Sequence, residues 1–196
     1  MTVAFLAAAS HLHTEGAGIS DEKCDKIMDE IAPEKADEMR RSANLQKDSF
    51  LNPSQMQSFL MRQNIIKESD FADVIGGNIM DSEHISSFLN VLENASTKKT
   101  SAALYFHEHC VAILKVVLTD GTCWYDLIES MPQLHQNGKW AATRTRCYDR
   151  ASLETLLTWY ACSKFSPTDE KYIDDNPWTD SKFEDIRVFQ AFVMKE

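Results

Sequence analysis

The segment most informative about the architecture lies in the second half of the chain and reads Phe106-His107-Glu108-His109-Cys110-Val111-Ala112-Ile113. It places a histidine at the start of an apolar run with the length and composition of a β-strand. Seventeen residues after His109, the run Trp124-Tyr125-Asp126 sets a carboxylate behind an aromatic pair. Nucleophilic catalysis needs this combination, because an imidazole takes the nucleophile's proton and a carboxylate on a neighbouring strand fixes its tautomer.

The turn between the two runs leaves the partner of His109 open. Asp120-Gly121 is a strong signal for a tight β-hairpin. A two-residue turn would pair Asp126 with Lys115 as a cross-strand ion pair, and would bring Glu129 or the next residue nearer to His109. A wider loop or a bulge would instead return Asp126 to the histidine.

His107 and His109 are one strand period apart, so they share a face of the predicted strand. His107 therefore competes with His109 for the role of base, and the pair could also ligate a metal ion. A third ligand is not evident at a suitable spacing. We expect neither a metal ion nor a cofactor.

Composition narrows the class of partner. The chain has 196 residues, of which 43% are hydrophobic and 26% charged, which fits one globular domain. Its net charge of −10 argues against binding to nucleic acid or to an anionic membrane, and suits a neutral or basic protein partner. The five cysteines show no paired spacing, which indicates a reducing, cytoplasmic location. No apolar run is long enough to span a bilayer.

The hydrophobic pattern predicts a single α+β domain over residues 1–196, with a helical lobe at about 1–100 and an antiparallel sheet lobe at 101–196. In the helical lobe, Ser20 opens a second helix that we expect Pro33 to end. The other expected elements are helices over Val3–His13, from Asn52, over Ser82–Leu92 and over Ala151–Lys164 with Asp149 as cap, and strands over Leu104–Phe106, Val111–Leu118, Thr122–Ile128, Ala142–Cys147 and Ile186–Met194.

The His109 stretch and the order of these elements resemble papain-like cysteine peptidases, and most of all the Josephin-type deubiquitinases. In that family a histidine opens an apolar strand, and a tight turn, an aromatic pair and an Asn or Asp follow. The resemblance implies a papain-like fold with His109 as general base and Asp126 as its orienting partner. It also implies a helical arm, here at about residues 20–50, that helps gate access of ubiquitin.

The nucleophile departs from the family pattern. In the family, the cysteine stands at the N-terminus of the first long helix, where the helix dipole lowers its pKa, and a glutamine a few residues earlier serves the oxyanion hole. That helix begins here at Met1-Thr2-Val3, so the expected cysteine falls at or before Met1. Cys24 lies too far along the chain to substitute, and Cys110 should point to the opposite face from His109. We expect either a piece of an active thiol protease or, as the favoured alternative, a protease-like fold without protease chemistry.

The expected function is that of a pseudoenzyme that binds a protein, with ubiquitin or a ubiquitin-like modifier as the partner that the resemblance implies. Met28, Ile31 and Met39 of the arm, together with Trp124, are the candidate binding residues, because methionines and aromatic side chains form adaptable apolar surfaces. Two alternatives stay open. One is an interaction domain with no protease ancestry, and the other is a small thiol acyltransferase that uses Cys110 or another thiol.

Overall fold

The computed structural model of the protein describes residues 1–46, 52–134, 140–179 and 185–196, with the backbone alone for 132–134 and 140–141. The described strands are β1 (Phe71–Asn78), β2 (Thr100–Phe106), β3 (His109–Val117), β4 (Cys123–Leu134), β5 (Trp140–Cys147) and β6 (Val188–Lys195). They form one antiparallel sheet in the order β1-β6-β2-β3-β4-β5. The strand from the first half of the chain is therefore an edge of the same sheet.

Helices precede and interrupt the strands. They are α1 (Thr2–His13), α2 (Asp21–Lys26), a π-helical segment (Ile27–Ile31), α3 (Ala32–Ser42), α4 (Pro53–Arg62), a short 3-10 turn (Glu68–Asp70), α5 (Ser82–Asn94), α6 (Arg150–Lys164) and α7 (Pro167–Asp175). The predicted cap of α6 is confirmed, since the side chain of Asp149 accepts from the amide of Ser152. Helix α7 was not predicted from the sequence, although Ser166 and Asp169 form a capping box at its start.

Helix α1 is buried against β2 and β3 because small side chains on the strands let it approach closely. Ala103 lies fully buried in the cluster that surrounds α1. The hydroxyl of Ser101 donates to the carbonyl of Ala8 at 3.0 Å, and His11 Nε2 donates to the carbonyl of Lys115 at 2.8 Å. These bonds fix the direction of α1, whose C-terminal half lies over the start of β2 and whose N-terminus lies toward the start of β3.

The opposite face of the sheet is covered by α5 and α6. Buried side chains of these helices, such as Phe88 and Leu157, form one cluster with Val111 and Ile113 of β3. The strand is consequently apolar on both faces, as strands covered by helices on both sides are. Helices thus pack on two faces of the sheet, with α1 to α4 on one and α5 and α6 on the other.

The expectation that Pro33 ends the second helix is wrong. Asp21–Lys26, Ile27–Ile31 and Ala32–Ser42 follow one another without a break, and we call this continuous helix, residues 21–42, the helical arm. A proline normally clashes with the carbonyl four residues before it. The π-helical turn directly before Pro33, in which the amide of Ala32 donates to the carbonyl of Ile27, widens the helix there and admits the ring.

The turn between β3 and β4 also differs from the two-residue turn considered above. Backbone bonds join Leu118 and Thr122, so three residues form the loop, with Gly121 at φ +85°. A three-residue loop of this kind shifts the strand register by one residue relative to a two-residue turn. Lys115 pairs with Tyr125, and Asp126 pairs with Leu114. The predicted ion pair between Asp126 and Lys115 is therefore wrong, because the two side chains project from opposite faces of the sheet.

No helix in the described ranges is long and apolar enough to cross a membrane.

Candidate functional site

His109 is placed by a tight hairpin between β2 and β3. His107 and Glu108 occupy the two turn positions, with φ of +42° and +64°, and Phe106 pairs with His109 across the turn. This geometry fixes the face on which the imidazole lies. The ring of His109 lies 5.9 Å from that of Phe106 and 6.4 Å from that of Tyr160, centroid to centroid, which puts it on the face covered by α6.

The neighbours of His109 on that face form a buried polar cluster. Glu129 Oε1 accepts from the hydroxyl of Tyr160 at 2.9 Å and from Lys164 Nζ at 2.7 Å. Burial raises the pKa of Tyr160, and the charge of Glu129 raises it further. Glu129, rather than Asp126, is thus the carboxylate on the same side of the sheet as His109.

The surroundings of His109 disfavour its protonated form. Burial lowers the pKa of its imidazole, and the positive charge of Lys164 lowers it further against the opposing effect of Glu129. His109 Nδ1 is buried and has no hydrogen-bond partner among the described residues. A histidine that acts as general base for a thiol needs a hydrogen-bond acceptor at this nitrogen, because the acceptor sets the tautomer of the imidazole. The described surroundings of His109 do not supply one.

The N-terminus of α1 meets a different side chain. Cys110 follows His109 in β3 and so points to the face that α1 covers, where it belongs to the α1 cluster. Burial raises the pKa of the Cys110 thiol, and the amino group of Met1 is near enough to oppose that rise. The side chain that β3 presents to the start of α1 is therefore a buried, protonated thiol and not an imidazole.

Asp126 lies on the α1 face, away from His109. Its carboxylate is fully buried and accepts from Arg146 Nε at 2.8 Å and from Arg144 Nη2 at 2.6 Å, with two further bonds from the same guanidinium groups. Burial alone would raise the pKa of Asp126, but the bonds from the two arginines outweigh burial and lower it. The structure does not bring His109 and Asp126 together.

Arg144 also connects the sheet to the helical arm. Its Nη1 donates to Asp21 Oδ1 at 2.8 Å, and its Nη2 donates to the carbonyl of Ile19 at 3.1 Å. The sequence signal for these partners was the alternation of Arg144 and Arg146 on one face of a strand. Their carboxylate partner could not be inferred, because the register of β4 was uncertain by one residue.

A cleft of about 470 Å³ separates the helical arm from β4 and β5, and we call it the arm–sheet cleft. Its described lining is Asp21, Cys24, Asp25 and Met28 from the arm, Asp126 and Ile128 from β4, and Ala142, Thr143, Arg144, Arg146 and Tyr148 from β5 and the residue after it. The volume suits one or two side chains of a partner. Trp124 lies beside it, with the guanidinium of Arg146 4.3 Å from its ring centroid.

The four candidate binding residues differ in accessibility. Met28 lines the arm–sheet cleft and is half-buried, as is Trp124. Ile31 is also half-buried and packs against the α1 cluster. Met39 is 2% exposed within that cluster, so it contributes to packing of the arm and cannot offer a free surface.

His107 lies beside the start of α7. His107 Nε2 lies 3.4 Å from Asp169 Oδ2 at the start of α7, and the two histidine rings are 6.3 Å apart. Within the described ranges, no three His, Cys, Asp or Glu side chains come together as metal ligands.

The architecture is an α+β, papain-like fold, with a buried first helix and a helical arm packed on an antiparallel sheet. The chain is similar in structure to the ubiquitin-specific protease encoded by murine cytomegalovirus tegument protein M48, solved in complex with a ubiquitin-based suicide substrate. The TM-score is 0.56 at 10% sequence identity, over 99% of this chain and 75% of the viral one. No family model and no curated protein matches the sequence.

Proposed function

We propose that this protein is a papain-like domain that binds a protein partner without protease chemistry, and that the partner is ubiquitin or a ubiquitin-like protein. The viral protease of similar fold was solved with a ubiquitin-based substrate, which supports this class of partner. The Josephin-like features of the sequence, namely the histidine at the start of β3 and the helical arm after α1, point to the same class.

The direction of His109 carries the non-catalytic part of the proposal. Thiol proteases of this fold need the imidazole within hydrogen-bond reach of a thiol at the start of the first helix. Here the side chain facing that helix is Cys110, while His109 lies behind the sheet against Tyr160. A thiol at the start of α1 would therefore lie near the thiol of Cys110 and not near the imidazole of His109.

Catalysis by Cys110 itself is disfavoured by the same geometry. Cys110 as a residue is 6% exposed, and burial raises the pKa of its thiol, whereas a nucleophilic thiol needs access and a lowered pKa. The imidazole next to it in sequence points away. This leaves binding as the function that the described residues support best.

The partner is expected to contact the side of the domain that carries the arm–sheet cleft. Met28 offers a flexible apolar side chain in the cleft, and Trp124 offers an aromatic face beside it. The adjacent Tyr148 is 76% exposed and enlarges the aromatic part of this surface. Side chains of this kind often dominate the energy of protein interfaces.

Titration of ¹⁵N-labelled ubiquitin with the unlabelled protein tests the proposal. We expect saturable shifts in ubiquitin resonances, which Met28→Asp and Trp124→Ala weaken. Matched controls are Met80→Asp and Trp159→Ala, which change exposed residues outside the cleft and should leave the shifts intact. The absence of shifts with ubiquitin and with ubiquitin-like modifiers would overturn the choice of partner, and equal losses in the controls would overturn the choice of surface.

A further inference from the structure

Helix α6 carries its charges on the side that faces the core. The side chains of α6 that are buried in the core are Leu153, Leu157, Tyr160 and Ala161. Arg150 and Lys164 lie on the same side, where each donates to a carboxylate at 2.7 Å. The third charged residue, Glu154, is half-buried one helical turn before Leu157. A surface helix normally turns its charged residues toward solvent, so the distribution in α6 is the reverse of the usual one.

The solvent-facing side of α6 is uncharged and carries an exposed tryptophan. Four of its residues follow one another at intervals of three, four and three, and we call them the α6 seam: Ser152, Thr155, Trp159 and Cys162. All four are exposed, Trp159 by 65%. The hydroxyl of Thr155 donates to the carbonyl of Ala151 at 2.9 Å and so is satisfied within the helix. The spacing of the seam is that of the a and d positions through which one helix packs on another.

The side chains of the α6 seam complement a second copy of the same seam. The small residues Ser152 and Thr155 occupy its N-terminal half, and the large Trp159 lies in its C-terminal half. In an antiparallel pair with a two-fold axis midway between residues 155 and 159, Trp159 of each copy lies against Thr155 of the other. Cys162 of each copy then lies opposite Ser152 of the other. Such an interface uses the same patch on both copies, as two-fold interfaces do.

Charge also favours a second copy at this face. The whole chain carries a net charge of −10, so two copies repel each other over most of their surfaces. The α6 seam adds no charge to this repulsion, and an antiparallel pair sets the two helix dipoles in opposite directions. Helix α6 covers the face of the sheet opposite to the arm–sheet cleft, so pairing through the seam leaves the cleft to another partner.

We propose that the protein forms a two-fold homodimer in which the α6 seams of two copies pack antiparallel. A single pair of helices buries less than the roughly 1,600 Å² of a standard interface, so we expect a weak dimer with a Kd of about 10–100 µM. This proposal does not depend on the identity of the partner at the cleft.

Sedimentation equilibrium, from concentrations tenfold below this Kd range to its upper limit, tests the proposal. We expect a monomer that associates to a dimer as concentration rises. Trp159→Asp should weaken the dimer at least about tenfold, because it removes the large side chain and adds a charge to the seam. Met80→Asp makes a comparable change at a residue outside α6 that is 38% exposed, and should leave the dimer intact. A monomer at every concentration, or an equal loss in the two variants, would overturn the proposal.

Substitutions at Thr155 test the complementarity of size. Thr155→Trp fills the small half of the seam and should weaken the dimer as strongly as Trp159→Asp does. Thr155→Val keeps the size of the side chain and should leave the dimer unchanged. Undiminished association of Thr155→Trp would refute the packing of each Trp159 on a small residue.

Disulfide formation tests the register of the two helices. Ser152→Cys places a thiol opposite Cys162 of the second copy, so we expect a covalent dimer on mild oxidation, with the linked peptides identified by mass spectrometry. In the native protein the two Cys162 residues lie about 15 Å apart along the helix axis, too far for a disulfide. Thr158→Cys is the control, because its thiol lies about 9 Å along the axis from Cys162 of the second copy. Equal covalent dimer from the two variants would contradict the antiparallel register.

Discussion

Replacement of Asp126 by Ala should be one of the most destabilising single changes in the domain. Asp126 is fully buried and accepts four bonds from Arg144 and Arg146, at 2.6 to 3.2 Å. Its removal leaves Arg146 without its carboxylate partner at the base of the cleft, and leaves Arg144 with the exposed Asp21 alone. Loss of one partner of a fully buried ion pair costs about 3–5 kcal/mol, and because the side chains of Arg144 and Arg146 are 20% and 40% exposed, we expect a loss of about 2–3 kcal/mol. For a domain of this size, that lowers Tm by about 5–10 °C.

Urea unfolding followed by circular dichroism measures the loss in free energy of unfolding. Asp174→Ala changes an exposed residue and serves as the control, which should change this free energy by less than about 0.5 kcal/mol. A double-mutant cycle with Arg146→Ala should give a coupling energy above about 1 kcal/mol. A loss below about 1 kcal/mol for Asp126→Ala, or no coupling to Arg146, would refute the structural role given to Asp126. An increase in reactivity of His109 in the same variant would refute the separation of the two residues by the sheet.

Three further changes test the packing around the site. His11 is buried and its pKa is lowered to about 4, so the free energy of unfolding should fall by about 3 kcal/mol as pH drops from 6.5 to 4. This loss should vanish in His11→Gln. A free energy of unfolding that does not change with pH in the native protein would contradict the prediction. Gly77→Ala places a Cβ 2.9 Å from the Cβ of His84 and should cost about 1–3 kcal/mol in thermal unfolding, whereas an unchanged Tm would show that α5 yields. Tyr160→Phe removes a donor to buried Glu129 and should cost about 1–2 kcal/mol by urea unfolding; a neutral result would show that another donor replaces it.

The sequence predicted the elements better than it predicted the site, and particular residues show why. Asp81, Asp149 and Ser20 cap helices that the apolar periodicity had located, because capping and periodicity are local signals. The face of the sheet on which the His109 side chain lies could not be predicted from the sequence of β3. Both Cys110 and Val111 are apolar, since helices cover both faces of the sheet, so alternation does not distinguish the faces.

Two other features depended on geometry that single residues do not reveal. The loop at Gly121 has three residues rather than two, which shifts the register of β4 by one residue. Asp126 therefore bonds to two arginines instead of to Lys115, the partner that a two-residue turn predicts. At Pro33, the usual rule for helix ends failed because a π-helical turn absorbs the ring. Tertiary packing decides both outcomes, and neither has a local sequence signal.

Labelling with ubiquitin that carries an electrophile at its C-terminus tests whether any thiol of this chain acts as a protease nucleophile. The side-chain geometry predicts no adduct on any of the five cysteines of this chain, under conditions in which iodoacetamide modifies exposed Cys162 and spares buried Cys110. Intact-protein mass spectrometry reports both reactions. A ubiquitin adduct that forms in the native protein and is lost in His109→Ala would contradict the claim. It would mean that His109 acts as general base for a thiol, which its position on the α6 face of the sheet excludes.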